Sequence, residues 1–183
     1  MRMLDLTALL VSESDGTLSF EFDDLVRYHG RQSICGLTVA YKVMGAAWGR
    51  VWNDAPPVRS SLVVASAFPG PGTRDGFEMV TRAVTRGAYE VLTDVEPGPL
   101  VAEAGKGAYF FRLSDDRHII ELGLKPEVVP AEFVPRRRKL ARGEASEAEA
   151  AEFRALQFEF SEKLRALAHD EVVNIISCRD IAT

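Results

Sequence analysis

Apolar and polar positions recur along this chain with two different periods, and the changes of period mark its elements. From Ser19 to Tyr28, Phe22, Leu25 and Val26 follow helical spacing. Asp23 and Asp24 stand in the early turns, where acids suit the positive end of a helix, and Gly30 is a natural stop. From Gly36 to Val51, Leu37, Ala40, Tyr41, Met44 and Trp48 share one helical face, and Asn53-Asp54-Ala55-Pro56-Pro57 breaks the pattern. Val58 to Phe68 reads as a strand, and its apolar centre Leu62-Val63-Val64-Ala65 places it inside a sheet. Beyond the turn Pro69-Gly70-Pro71-Gly72, a third helix is expected from Asp75 to Tyr89, with Asp75 and Glu78 at capping-box spacing.

Leu100–Glu103, Ala108–Leu113 and His118–Leu124 read as strands, the last two forming a hairpin around Ser114-Asp115-Asp116-Arg117. Pro126–Pro135 reads as an extended connector. Ser146 to Ala168 reads as a long helix, with Ser146 and Glu149 as its capping box and Phe153, Leu156, Gln157, Phe160, Leu164 and Leu167 as its inner stripe. The order predicts an α+β fold, an antiparallel or mixed sheet packed with helices, in a single domain over residues 1–183. Its core would span 19–135 and a C-terminal helical part 143–177.

Composition narrows the function classes. The 183 residues are 46% hydrophobic and 27% charged, enough to bury a core without staples. A net charge of -5 argues against general attraction to nucleic acid or an anionic membrane. The one basic run, Arg136-Arg137-Arg138-Lys139-Leu140-Ala141-Arg142, is either a local phosphate-binding patch or, the favoured reading, a solvated linker into an acidic helix. Two distant cysteines, Cys35 and Cys178, imply no disulfide framework. Asp5 interrupts Met1–Leu6, which is therefore not read as a signal peptide, and no apolar run nears the ~20 residues that span a bilayer. The expected compartment is the cytoplasm.

Candidate chemistry sits in loops that precede helix starts, His29–Gly36 and Phe68–Asp75, where free N–H groups favour anions. Cys35 stands where a helix can lower a thiol pKa, and His29 is near in sequence. The two would serve as nucleophile and base, or as two metal ligands, or else they pack as a buried thiol beside a capping histidine. Lys106 lies between Gly105 and Gly107, either reaching an anion or decorating a turn; no phosphate-loop pattern precedes it. His118 reads as an exposed strand end, His169 as a cap on the long helix, and Cys178 as a bystander.

In this order the segments resemble the FmdE-like family, named for its association with formylmethanofuran dehydrogenase. The likeness begins at Leu25-Val26-Arg27-Tyr28-His29-Gly30 and continues through Ala40-Tyr41-Lys42. It runs on through Val63-Val64-Ala65, Asp75–Thr81, Ala104-Gly105-Lys106-Gly107-Ala108-Tyr109-Phe110 and the Arg142–Ser146 entry to the long helix. It covers roughly residues 19 to 177. The family has aromatic-His-Gly-His-x-Cys-Pro-Gly where this chain has Arg31 for the second His and, for the Cys, Ser33 without a gap or Cys35 if the loop is longer. Gly72 replaces a cysteine before the family's Asp, and too few cysteines remain for the zinc finger of some members.

The resemblance implies an α+β core, often a homodimer, with a cleft lined by the His-Gly loop and the helix that carries Asp75. The pocket expected here binds a small anionic organic ligand. Its candidate catalytic residues are His29, Cys35 and Asp75, and its ligand-binding residues are Arg31, Gly72, Arg74 and Lys106. One alternative is a divalent transition metal such as zinc held by His29 and Cys35 with Asp75. Another is a non-enzymatic dimeric accessory or sensor protein whose long helix docks a partner.

Overall fold

A computed structural model describes residues 8–181. The opening Met1–Leu6 segment, with the signal-peptide reading attached to it, lies outside the described residues. The fold is α+β. It begins with a hairpin of β1 (Leu9–Glu13) and β2 (Gly16–Phe20), followed by α1 (Phe22–His29) and α2 (Ile34–Val51). Then come β3 (Val63–Ser66), α3 (Pro71–Thr81) and β4 (Tyr89–Val91), and after them β5 (Phe110–Ser114) and β6 (His118–Leu124). The chain closes with α4 (Phe133–Ala141), α5 (Glu147–Ala166), α6 (His169–Val172) and β7 (Val173–Asp180).

The main sheet has the order β4-β3-β5-β6-β7. β3 and β4 are parallel, joined across α3, and the remaining pairs are antiparallel. Alternation divides the side chains between two faces. Val64, Phe111, Leu113, Ile120, Leu122 and Leu124 enter the helix-covered core, while Phe110 joins a smaller cluster with Ala67, Val101 and Ala108. Arg112 reaches Glu121 across the β5–β6 pair, and Ser177 donates to the same carboxylate.

The organising element is α2, in which every residue from Ile34 to Trp48 is buried. A helix apolar nearly all round belongs in the interior, and its few polar groups find partners there. Thr38 and Ser161 hydroxyls share a 2.6 Å hydrogen bond between α2 and α5. Lys42 Nζ donates to the carbonyls of Arg165 and Leu167 at the end of α5, where a cation suits the negative pole of the helix. Trp52 Nε1 donates to Asp115 Oδ2 at 2.7 Å, tying the end of α2 to the β5–β6 turn.

Several expectations change. The N-terminal hairpin is not legible in the pattern, because Leu9 and Val11 are its only fully buried members and β2 is almost wholly exposed. The third helix begins earlier, at Pro71, and ends at Thr81, so Asp75 lies inside it and does not cap it. Its end is set by Glu78, which accepts from the Val84 and Thr85 backbone N–H groups and folds the chain away. The basic run is not a linker but α4, with Pro135 in the first turn, where proline is tolerated. His169 does not cap the long helix, whose C-cap is Leu167, but opens α6: it is 2% exposed, packed on α2 at Gly45 and Tyr41. Cys178 belongs to β7, so the C-terminal part is helix and strand and completes the main sheet.

A side chain at Gly45 would collide with the His169 ring. Gly45→Ala should therefore destabilise the protein by about 1–3 kcal/mol in urea unfolding. Adding His169→Ala should recover part of that loss; a strictly additive double mutant would disprove the clash.

Candidate functional site

Two helix starts meet back to back. Ser33, ahead of α2, takes a left-handed backbone (φ 55°), and Gly70 precedes α3 in an extended one. Neither helix start has a side-chain cap. Glycine permits the contact: a Cβ on Gly36 would lie 3.0 Å from the Thr73 nitrogen, and one on Gly72 would strike the Ser33 carbonyl. Thr73 Oγ1 donates to the Gly36 carbonyl at 3.2 Å and pins the crossing. The two positive helix ends thus lie side by side beneath a cleft.

The cleft has about 40 Å³ of free space. Phe68, Tyr109 and Phe133 form apolar walls, with the Phe68 and Tyr109 rings 4.6 Å apart. Cys35 and Gly72 line its base, Gln157 enters from α5, and Arg137 comes down from α4. The Arg137 stem lies across Gly105, where a Cβ would stand 2.6 Å from Arg137 Cγ.

Burial governs the ionisable groups here. Cys35 is 7% exposed, and loss of hydration pushes its thiol up to about 11, against the smaller opposing effects of the Gln157 amide, 3.8 Å from Sγ, and the Arg137 charge. The expectation of a thiolate activated by the helix start is corrected: desolvation outweighs the dipole, and the thiol stays neutral. Burial also drives the Tyr109 phenol far above its ordinary value.

The other sequence-derived candidates fall elsewhere. His29 Nδ1 lies 2.7 Å from Asp75 Oδ2, a bond that joins the end of α1 to α3. The carboxylate can only accept, so in the neutral ring Nδ1 carries the proton and Nε2 is the basic nitrogen. Arg74 also reaches Asp75, at 3.3 Å. His29 and Cys35 therefore have different partners and do not form the pair their spacing suggested. Arg31 is exposed in the loop between α1 and α2, and Lys106 is exposed on its turn, outside the cleft lining. Among the described residues, no three His, Cys, Asp or Glu side chains are placed to hold a metal.

Sequence reasoning did not single out Arg137, Tyr109 and Phe133 as site residues, and had Phe68 only as the start of a candidate loop. A signal for α4 existed: Phe133, Arg137 and Leu140 follow helical spacing, with Pro135 in a permissible place. Gln157 also stood out as the one polar member of the inner stripe of α5.

Neither comparison with protein-family models nor comparison with curated proteins finds a match. No helix among the described residues is long and apolar enough to cross a membrane.

The Cys35 environment has a measurable consequence. At pH 8 a thiol near 11 has about a hundredfold less thiolate than one at the ordinary 9.0. Because the higher-pKa thiolate is also the stronger nucleophile, Cys178→Ser protein should react with a disulfide reagent about tenfold or more slower when native than when unfolded, burial adding to the difference. Equal rates would show an accessible, activated Cys35. Because the folded state holds the proton more tightly, this contribution to stability is full below pH 9.0 and declines as pH rises through about 11.

Proposed function

We propose that this chain binds a small organic anion, most simply a monocarboxylate, in the cleft between the two helix starts and α4. One observation carries the reading. Four of the five cations in the 136–142 run have carboxylate partners: Arg136 with Glu152, Arg138 with Glu103, Lys139 with Glu149 and Arg142 with Glu144. Arg137 has none among the described residues, and it is the one that lines the cleft. A guanidinium held over a cleft with no acid in its lining suits a carboxylate, which it can bind through two parallel hydrogen bonds.

The rest of the lining fits the same ligand. One cation and no second charge favour a single negative group. The small free volume limits the ligand to a few heavy atoms, and the aromatic walls with a neutral thiol suit an apolar tail. The His29–Asp75 pair lies outside this lining and holds α1 on α3, the helix whose start forms the cleft base. We also propose, as the family resemblance implies, a diverged FmdE-like protein acting as a homodimer, and, from the sequence pattern, a cytoplasmic one.

Ligand-observed NMR with acetate, propionate and benzoate tests the reading. Saturable binding of at least one is expected, weakened about ten- to hundredfold by Arg137→Ala, the worth of a charge-assisted hydrogen bond. Gly105→Ala, which displaces the Arg137 stem without changing charge, should also weaken it. No saturable binding, or equal affinity in Arg137→Ala, refutes the proposal. His29→Ala and Cys35→Ser separate ligand roles from packing: loss of melting temperature with unchanged affinity assigns them to packing.

A further inference from the structure

A second cavity, at the opposite end of α3, has a different character. It is an open hollow of about 460 Å³ lined by Arg59, Arg82 and Arg86, with Ser14, Val58, Ser60 and a single acid, Glu13. Three guanidiniums thus face one carboxylate. Glu78, 3.7 Å from Arg82 and outside the lining, and the carbonyl end of α3, worth about half a negative charge, reduce the surplus, but the balance stays positive in a chain whose net charge is -5.

Two of the arginines are held in place before any ligand arrives. Arg59 Nε and Nη2 donate to the Val80 and Met79 carbonyls, each at 2.8 Å. Its Nη1 meets Glu13 at 2.9 Å. Arg86 Nη1 donates to the Ser60 carbonyl at 2.7 Å, and Nη2 to the Leu62 carbonyl. Arg86 has no carboxylate partner among the described residues. These bonds fix the guanidiniums while using only part of their five N–H donors each. Arg82 is the loosely held third. Its side chain is 54% exposed, and its one acid, Glu78, lies 3.7 Å away and is already engaged by Val84 and Thr85.

We propose that this cavity binds a phosphate-type oxyanion, either free or as the phosphoryl group of a small metabolite. The tetrahedral dianion matches convergent guanidinium forks better than a lone carboxylate does. Arg59 and Arg86 form a fixed floor, the Ser14 and Ser60 hydroxyls can donate from the rim, and Arg82 closes over the anion. The remaining space admits an organic group attached to the phosphate. This site is independent of the Arg137 cleft.

The backbone supplies a variant that removes charge with little strain. Arg82 has φ 57°, a left-handed conformation that glycine adopts freely. Arg82→Gly therefore removes the cation and preserves the fold. Inorganic phosphate and pyrophosphate would be titrated at low ionic strength into the full chain, reading amide shifts and melting temperature. Saturable binding with a raised melting temperature is expected, weakened about tenfold or more by Arg82→Gly and unchanged by Arg154→Ala on the exposed face of α5. Tighter binding of a sugar phosphate than of inorganic phosphate assigns the site to a metabolite; the reverse assigns it to the free ion. The proposal is overturned by non-saturable shifts, by undiminished binding in Arg82→Gly, by an equal loss in Arg154→Ala, or by loss in Arg137→Ala instead.

Discussion

The close approach of α2 and α3 is the contact around which the molecule is built. Gly36, Gly72 and Gly76 remove side chains where the two helices cross, and at Gly76 even a methyl group would come within 2.8 Å of the Ala40 Cβ. Helices that approach this closely exclude water from their shared face and gain dispersion contact along its length. The crossing also fixes where the helix starts point. Both then lie under one cleft, and α1 is drawn onto α3 through His29 and Asp75. A larger residue at any of the three glycines would separate the helices and take the cleft base apart.

Around that crossing, α2 acts as an axle. Its apolar surface is covered by α3 and α5 and by the β6–β7 part of the sheet, and its polar side chains bond to α5 and to the turn after it. The C-terminal segment is therefore not an appendage. α5 supplies Gln157 to the cleft, α6 packs His169 on α2, and β7 completes the sheet beside β6. Removing this segment would expose α2 and delete one wall of the site together.

Charge follows the same architecture. On α4, ion pairs to α5 and to Glu103 neutralise the surface cations and leave Arg137 over the cleft. At the other end of α3, Arg59 and Arg86 attach to backbone carbonyls and keep their charge. The acidic net charge of the whole chain hides both features, because it is an average over a surface on which a few cations are isolated by their neighbours.

Local pattern was enough to read the α+β class, the positions of α1, α2, α5 and the β5–β6 hairpin, and the capping box at Ser146. Those features rest on periodicity and on groups within four residues of each other, which a single chain displays directly. The same kind of signal pointed to Cys35 and Gly72, because glycine loops ahead of helices are local features. Which charges matter could be read only from the folded chain. Arg137 is one of four consecutive cations in sequence, and what distinguishes it is the position of Glu103, Glu149 and Glu152, brought in from elsewhere in the fold. The Cys35 thiol illustrates the same limit. Its place at a helix start is written in the sequence, but the burial that keeps it neutral comes from α4 and α5 closing over it. Pairing partners and desolvation are properties of where distant segments meet, and no local pattern carries them.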